Sequence, residues 1–350
     1  MSFVLSKVQE EYLTISMKNV SRSFALVTPN VEAPLNDYLS TAYLICRVVD
    51  NIEDCTQPFA WQQQRFAEFN YLLYRPEEAI NILRQWQQEV WPGLNDDESA
   101  MMSLDGGLML WQIYAHIPEP SRQAIAHWTE AMSVGMEQVQ NPTDDGLFVE
   151  RQGIKLPATE AEYNQYCFIV AGTVGRMATE LVVIQYDVDG RQAENLLNLS
   201  DSCGRALQKT NILKDFAKDL QRNICFLPDA WLQEADYSPL NLAGASNSWK
   251  AAVIQNVLQE LDESVGYVRE LPLTAVGYRR ASLLAMIPAY HTLLLAAKKL
   301  SQLFTADHHL KISRRTMAQC ILDATRFANN NEAIAAYAVN MHQKVTDTLT

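Results

Sequence analysis

The sequence predicts an all-α protein, and three observations support this fold class. Glycine and proline number only 13 each in 350 residues, so few positions break a helix. Hydrophobic residues make up 48% of the chain, and they recur at helical spacing over long segments. No segment of useful length alternates apolar and polar residues as a half-buried strand does. Because no break resembles an interdomain linker, we expect one domain over residues 1–350.

The individual helices follow from runs of apolar periodicity and from the breaks between them. Their expected bounds are about 4–19, 36–55, 59–74, 77–90, 97–115, 120–140, 159–186, 191–222, 249–269, 274–304 and 312–346. Proline, glycine, asparagine and aspartate mark the breaks, as in the loop of residues 91–97. Residues 236–248 are predicted as the clearest flexible loop.

The net charge, the cysteine spacing and the apolar runs limit which partners, disulfides and membrane segments are expected. The formal net charge of −13 makes the chain a poor partner for nucleic acid, and a phosphorylated substrate would need local cations. The six cysteines form no C-x-x-C pair, so we expect reduced core cysteines. The N-terminus has no signal-peptide pattern, and the longest apolar run, 281–297, is shorter than a membrane span. We therefore expect no transmembrane anchor.

The segment Tyr43–Asp54 is apolar except for one thin charged line. Arg47, Asp50 and Asp54 are spaced i, i+3 and i+7, which places them on one helical face. Ordinary surface helices have the reverse proportions, with a wide polar face. Buried charges are costly unless they are paired or bind a metal. The pattern predicts a buried helix whose charged line faces a wet or metal-filled cavity.

A second line repeats this pattern on the predicted helix of residues 191–222. Gln208, Asn211, Asp215 and Asp219 lie on one face, and apolar residues fill much of the rest. Two such helices facing each other would bring four or five carboxylates into one cavity, where they need cations to stay ionised. Oxygen ligands suit Mg²⁺ or Mn²⁺, so we expect a metal-bound diphosphate there. The alternative is that each line is a solvated salt-bridge face.

Several lesser candidates each have a structural explanation. Hydroxyls and a guanidinium at Ser21-Arg22-Ser23 could hold phosphate or simply cap a helix. Tyr43 and Tyr166 could be core tyrosines with satisfied hydroxyls. Gly172 and Gly175 favour close helix packing over ligand contact.

Taken together, the motifs resemble those of the squalene/phytoene synthase family over about residues 15–300. The matching segments are Ser21-Arg22-Ser23-Phe24, Tyr43–Asp54 with its D-x-x-E-D pattern, Tyr166–Gly175, and Gln208-Lys209-Thr210-Asn211-Ile212 through Asp215 and Asp219. Within the family, residues 208–212 and Ala285-Met286-Ile287-Pro288 resemble squalene synthases more than phytoene synthases.

The resemblance implies an isoprenoid synthase fold, with long helices around a central cavity, and a reaction. Two farnesyl diphosphates would condense head to head to presqualene diphosphate, and NADPH would then drive reductive rearrangement to squalene. The alternatives are a dehydrosqualene or phytoene synthase without the reduction, and a non-catalytic scaffold of the same fold. The resemblance also implies a bacterial-type cytoplasmic enzyme that contacts the membrane at most peripherally, and we expect a monomer.

The resemblance also implies roles for individual residues. It assigns the Mg²⁺-diphosphate carboxylates to Asp50, Glu53, Asp54, Asp215 and Asp219. It assigns the first half-reaction to Tyr166, with catalytic positions at Tyr43 and Arg47, and substrate contacts to Ser21, Arg22, Ser23, Phe24, Gln208, Lys209 and Asn211. One departure weakens the second metal line, because Lys218 stands where the family often has an acidic residue. The segment Ile224–Pro228 also departs from the family pattern, which bears on the reductive step.

Overall fold

In the computed structural model, which describes residues 3–21, 24–141, 146–305 and 310–350, the protein is almost entirely helical. Its helices are α1 (Lys7–Val20), α2 (Phe24–Val27), α3 (Leu35–Asp54), α4 (Phe59–Tyr74), α5 (Ala79–Trp86), α6 (Asp96–Met101), α7 (Leu104–His116), α8 (Glu119–Gln140), α9 (Glu160–Cys167), α10 (Thr173–Tyr186), α11 (Gly190–Gln221), α12 (Asp229–Glu234), α13 (Asn247–Glu270), α14 (Val276–Lys298), α15 (Arg314–Phe327) and α16 (Asn331–Leu349). The predicted all-α class is confirmed.

One short hairpin departs from the expectation that the chain has no strands. The strands β1 (Phe148–Arg151) and β2 (Ile154–Pro157) pair antiparallel. Gln152 and Gly153 connect them with φ of 56° and 78°, the left-handed geometry of a tight hairpin turn. Four residues are too few for alternation to stand out, which is why the sequence pattern missed them.

Two predicted helices are each divided in the structure. The helix expected at 97–115 breaks before Ser103, whose hydroxyl caps α7 by accepting from the Gly106 amide at 3.2 Å. The helix expected at 312–346 breaks before Asn330, which caps α16 by accepting from the Ala333 amide at 2.9 Å. In both places an N-cap residue starts a new helix within the predicted one.

The predicted flexible loop at 236–248 is instead partly helical. Residues Pro239–Gly244 form a 3₁₀ helix. The buried Lys250 ammonium donates to the Ala243 carbonyl at 2.8 Å, and the Ser246 amide donates to the Tyr237 hydroxyl at 2.9 Å. These bonds fix a segment whose composition is typical of a loop.

The chain divides by its internal contacts into two compact units. The first comprises Met1–Pro142 and Arg176–Asp189, and the second comprises Thr143–Gly175 and Gly190–Thr350. The expectation of a single domain stays a prediction.

The first unit is built around α3. This helix packs against α1, α4, α7 and α8, and it is buried along most of its length. Part of α10 packs here as well, since the Trp128 indole donates to Glu180 at 2.6 Å and the Tyr186 hydroxyl donates to Glu32 at 3.0 Å.

The second unit is built around α11. This helix packs along α13 and also contacts α9 and α14, while α15 and α16 pack against α14. Arg279 of α14 is fully buried. Its guanidinium donates to the carbonyls of Val268 and Leu271 at 2.7 Å each and of Ala328 at 2.6 Å. Since these carbonyls lie near helix C-termini, the cation satisfies acceptors that have no partner within their helices.

Two stretches of the described chain are long and apolar enough to cross a membrane by length and composition, Glu160–Tyr186 and Val276–Lys298. Core helices of folded proteins meet the same criterion. The second stretch contains Met286, Ile287, Tyr290 and Leu293, all buried within the second unit. That burial agrees with the predicted core helix.

Candidate active site

The charged line of α3 lies on a helix that is buried almost everywhere else. From Thr41 to Ile52 the apolar side chains are buried, while Tyr43, Arg47 and Asp50 are half-buried. Glu53 and Asp54 continue the half-buried line. The prediction of a buried helix with one thin polar line is therefore confirmed.

Arg47 is the cation at the centre of this line. Its guanidinium lies 3.3 Å from an oxygen of Asp50 and donates to the Tyr43 hydroxyl at 3.2 Å. Burial raises the pKa of Asp50 to about 6, with Asp54 and Glu98 adding to the rise and Arg47 opposing it. One guanidinium thus only partly offsets the burial of negative charge, and a further cation would stabilise the ionised line.

Glu53 belongs to the same end of α3 and has a partner in the first unit. The Gln140 amide donates to its Oε1 at 2.5 Å. Since Gln140 is the last residue of α8, packing of α8 on α3 orients this carboxylate.

The second line, on α11, is more exposed and carries more cations. Asn211 is exposed, and Gln208, Asp215 and Asp219 are half-buried. Lys214 donates to the side-chain Oδ1 of Asn211 at 2.8 Å and lies 3.3 Å from Asp215.

Lys218 also approaches Asp215, at 3.4 Å on the other carboxylate oxygen. Asp215 therefore lies beside two ammonium groups. Sequence reasoning noted Lys218 only as a missing ligand and overlooked Lys214. Its position next to Asp215 in the motif was the available signal.

Lys209 lies about 100° around α11 from Gln208, off the acidic line. It is 3% exposed, and its ammonium is 2.7 Å from Glu260 and 3.1 Å from the side-chain Oδ1 of Asn256. The ammonium also lies 5.0 Å from the ring centroid of Tyr163. These contacts join α11 to α13. The role of Lys209 as a substrate contact stays a prediction.

Tyr166 is part of an aromatic cluster in the second unit. Its ring stacks on Phe226 with centroids 4.5 Å apart and meets Phe148 edge-on at 5.5 Å. The Lys155 amide donates to the Asn223 carbonyl at 2.9 Å, so β2 holds the chain that leads to Phe226. Sequence reasoning missed Phe148 and Phe226 as neighbours of Tyr166 because it did not predict the hairpin.

Glycines bring α11 close to the helical stretch that carries Tyr166. A Cβ on Gly204 would lie 2.4 Å from the Ala171 carbonyl oxygen and 2.8 Å from the Gly172 Cα. A Cβ on Gly175 would lie 2.9 Å from the Ser200 carbonyl oxygen. The predicted packing role of Gly172 and Gly175 is confirmed. Residues 168–172, which begin two positions after Tyr166, form a π-helical turn, a feature frequent at functional sites.

The structure describes only part of the segment at residues 21–24, which the sequence predicts to contact substrate. Ser21 is buried, and its amide donates to the Met17 carbonyl at 2.9 Å to end α1. Arg22 and Ser23 lie outside the described residues, as does the side chain of Phe24.

The donor set fits Mg²⁺ in chemistry. On α3 and, separately, on α11, half-buried carboxylates offer oxygen ligands, the type of donor that Mg²⁺ prefers. Within the described ranges, no three histidine, cysteine, aspartate or glutamate side chains converge closely enough to form a metal cage. Mg²⁺ commonly takes one or two carboxylates and completes its shell with substrate phosphates and water. A preformed cage is therefore not required.

Comparisons with known proteins give a consistent result. A family model described as squalene/phytoene synthase matches residues 17–316. Squalene synthase ERG9 of Candida albicans is 30% identical over 208 residues, which are 59% of this chain and 43% of that protein. A bifunctional lycopene cyclase/phytoene synthase of Phaeosphaeria nodorum is 26% identical over 274 residues, 75% of this chain and 42% of that protein. The matches thus span less than half the length of these two curated relatives.

A solved structure agrees on the fold. TcSQS in complex with the ligand BPH1237 superposes with a TM-score of 0.77 and covers 98% of this chain and 97% of that one, at 19% identity. At this identity the likeness establishes a shared all-helical fold.

Proposed function

The chain belongs to the squalene/phytoene synthase family, and we propose that it condenses two farnesyl diphosphates head to head to presqualene diphosphate. We further propose that NADPH then reduces this intermediate to squalene. The observation that carries the proposal is the pair of polar lines, one on α3, which is buried around its line, and one on α11, which is buried beside its line at Ile212, Leu213, Phe216 and Ala217.

The α3 line supplies the groups that bind diphosphate in this proposal. Asp50, Glu53 and Asp54 would hold Mg²⁺, and the bound metal would supply positive charge that stabilises the leaving diphosphate. Arg47, already oriented by Asp50 and Tyr43, donates to a diphosphate oxygen.

The α11 line supplies Asp215 and Asp219 as further Mg²⁺ ligands and Gln208 and Asn211 as contacts to the substrate. Lys214 and Lys218 lie beside Asp215 and balance its charge until the metal-bound substrate arrives. The lysines then turn to the phosphate oxygens, because a diphosphate carries more negative charge than one carboxylate.

The cluster around Tyr166 fits the other requirement of the proposed reaction. Loss of diphosphate from an allylic substrate leaves a carbocation, which needs an apolar pocket and aromatic faces. Tyr166 supplies both a ring and a hydroxyl that can carry a proton, and the stacked Phe226 holds that ring in place.

Product analysis tests the proposal directly. Purified protein is incubated with farnesyl diphosphate and Mg²⁺, with and without NADPH, and the hydrocarbon is identified. We expect squalene with NADPH. A hydrocarbon that forms equally well without NADPH and keeps the central double bond would identify a dehydrosqualene synthase instead.

A phytoene synthase is the second candidate, because the family includes both activities and the match to a phytoene synthase covers 75% of this chain. Product from geranylgeranyl diphosphate but none from farnesyl diphosphate would favour it. The motif at residues 208–212 supports squalene synthase. The departures at Lys218 and at residues 224–228 make the reductive step the part most in need of this test.

A further inference from the structure

The exposed face of α15 combines cations with large apolar side chains. Arg314, Arg315 and Arg326 are exposed, and Ile321 and Leu322 are 40% and 64% exposed. At 100° per residue these five side chains fall within about 140° of the helix circumference. We call them the α15 outer face.

No carboxylate accompanies these arginines on the helix face. The single acidic residue of α15, Asp323, is half-buried on the flank and accepts a hydrogen bond from Gln319 at 2.9 Å. None of the three arginines forms an ion pair with a carboxylate among the described residues. The opposite side of the helix is anchored by the small buried residues Cys320 and Ala324.

This arrangement is unusual for the chain as a whole. Acidic residues outnumber basic ones by 41 to 28, so surface arginines would be expected to have carboxylates nearby. The outward side of α1 shows the ordinary arrangement, because exposed Val8 and Ile15 share it with Glu11. A net cationic face with exposed apolar residues therefore points to an anionic partner with an apolar interior.

We propose that the α15 outer face docks this protein on an anionic lipid bilayer. A basic amphipathic helix suits this interface, where arginines contact lipid phosphates and apolar side chains enter the acyl boundary. The inference rests on the surface chemistry of α15 and does not depend on the proposed reaction. It is compatible with that reaction, since a hydrocarbon product dissolves in a bilayer.

Two other partners fit the observations less well. A nucleic acid would be repelled by the net charge of −13 and would leave Ile321 and Leu322 exposed to water. A second copy of this chain, packed through a two-fold axis, would set the arginines of one face against their own equivalents.

Vesicle cosedimentation tests the proposal with the full chain. The probes are phosphatidylglycerol-containing vesicles and pure phosphatidylcholine vesicles of the same size. We expect binding to the anionic vesicles alone, weakened by 0.5 M salt. Replacing all three arginines (Arg314→Gln, Arg315→Gln and Arg326→Gln) is expected to lower the partition coefficient by about a hundredfold.

The apolar half of the face is tested separately. Ile321→Ser with Leu322→Ser is expected to lower the partition coefficient by about tenfold, while the salt dependence persists. The matched control is Val8→Ser with Ile15→Ser on α1, which removes similar exposed apolar groups and is expected to leave binding unchanged. Circular dichroism and thermal melting confirm that each variant is folded.

Three results would overturn the proposal. The first is no binding of the wild-type protein to anionic vesicles, and the second is binding that survives in the folded triple-arginine variant. The third is self-association without lipid, seen by sedimentation velocity and removed by the α15 variants, which would assign the face to a second copy. Because none of these measurements uses catalysis, failure here is distinguishable from failure of the proposed function.

Discussion

The helices α3 and α11 carry similar polar lines. They differ in the number of cations beside the carboxylates and in how each helix packs against its neighbours. The helix α3 is buried by large aliphatic side chains, and Arg47 is the cation beside its carboxylates. Because burial outweighs the effect of Arg47, the pKa of Asp50 rises to about 6. On α11, both Lys214 and Lys218 lie beside Asp215. This helix packs on its neighbours through Gly204 and the buried Lys209–Glu260 pair.

The difference separates two requirements of the proposed diphosphate site. The α3 line has one guanidinium for its carboxylates, so an added cation would stabilise their ionised form. The α11 line already carries lysines that can turn to phosphate. We therefore expect α3 to dominate the need for Mg²⁺ and α11 to contribute mainly to holding the substrate.

The largest expected effect is the loss of activity when either line loses a carboxylate. Asp50→Asn and Asp219→Asn should each lower turnover of farnesyl diphosphate by about a hundredfold to a thousandfold, because stabilisation of the departing diphosphate is lost. Steady-state kinetics measures this. The control is Asp347→Asn on the exposed side of α16, expected to change the rate by less than about twofold. Unchanged turnover in either test variant would mean that the metal assignment is wrong.

The close packing of α11 at Gly204 should make the stability of the fold sensitive to one added methyl group. Gly204→Ala places a Cβ against backbone atoms of residues 171 and 172, which cannot move aside as a side chain can. We expect the free energy of unfolding to fall by about 2 to 3 kcal/mol in urea titrations. Gly190→Ala, at the first residue of the same helix with no atom within 4 Å of the new Cβ, is the control and should be nearly neutral. Equal stability of the two variants would contradict the close approach.

The α3 line should weaken the fold of the metal-free protein. Since the pKa of Asp50 is raised, its contribution to stability is present below about pH 4 and is lost as pH rises through about 6. In EDTA at pH 7.5, Asp50→Asn should raise the free energy of unfolding by about 1 to 2 kcal/mol, and the gain should shrink toward pH 4.5.

Asp215→Asn on α11 is the matched variant for this prediction. Asp215→Asn should bring no such gain, because Lys214 and Lys218 lose their partner. An Asp50→Asn variant less stable than wild type at pH 7.5 would contradict the account of α3.

The smallest expected effect is a change in the Mg²⁺ requirement when a lysine beside Asp215 is replaced. Lys218→Glu replaces an ammonium 3.4 Å from Asp215 by a carboxylate. The half-saturating Mg²⁺ concentration should fall by about threefold, a small change because both groups are partly solvated. Lys7→Glu on α1 is the control, and a raised Mg²⁺ requirement in Lys218→Glu would argue against Asp215 as a ligand.

Sequence reasoning was sufficient where a pattern is long and local. The burial of α3 around its polar line follows from spacing alone, because a helix with few polar residues has little to present to water. The close packing at Gly172 and Gly175 was also predictable, since small residues at helical spacing permit backbone approach.

Other features depend on contacts that are distant in sequence. Lys209 and Glu260, which pair across α11 and α13, are 51 positions apart along the chain, and no local pattern indicates their contact. The hairpin at 148–157 is too short for periodicity to detect, so the aromatic neighbours of Tyr166 were also missed. The divisions at Ser103 and Asn330 each arise from a single capping residue, and the apolar periodicity that continues on both sides of it outweighs the cap signal.

In the proposed function, the carboxylates of α3 and those of α11 each contribute to Mg²⁺-dependent diphosphate binding. Isothermal titration calorimetry with an unreactive farnesyl thiodiphosphate tests it most directly, using wild type, Asp50→Asn and Asp219→Asn. We predict that wild type binds only with Mg²⁺ and that each variant weakens binding by at least about tenfold. Binding without Mg²⁺, or wild-type affinity in either variant, would contradict the account.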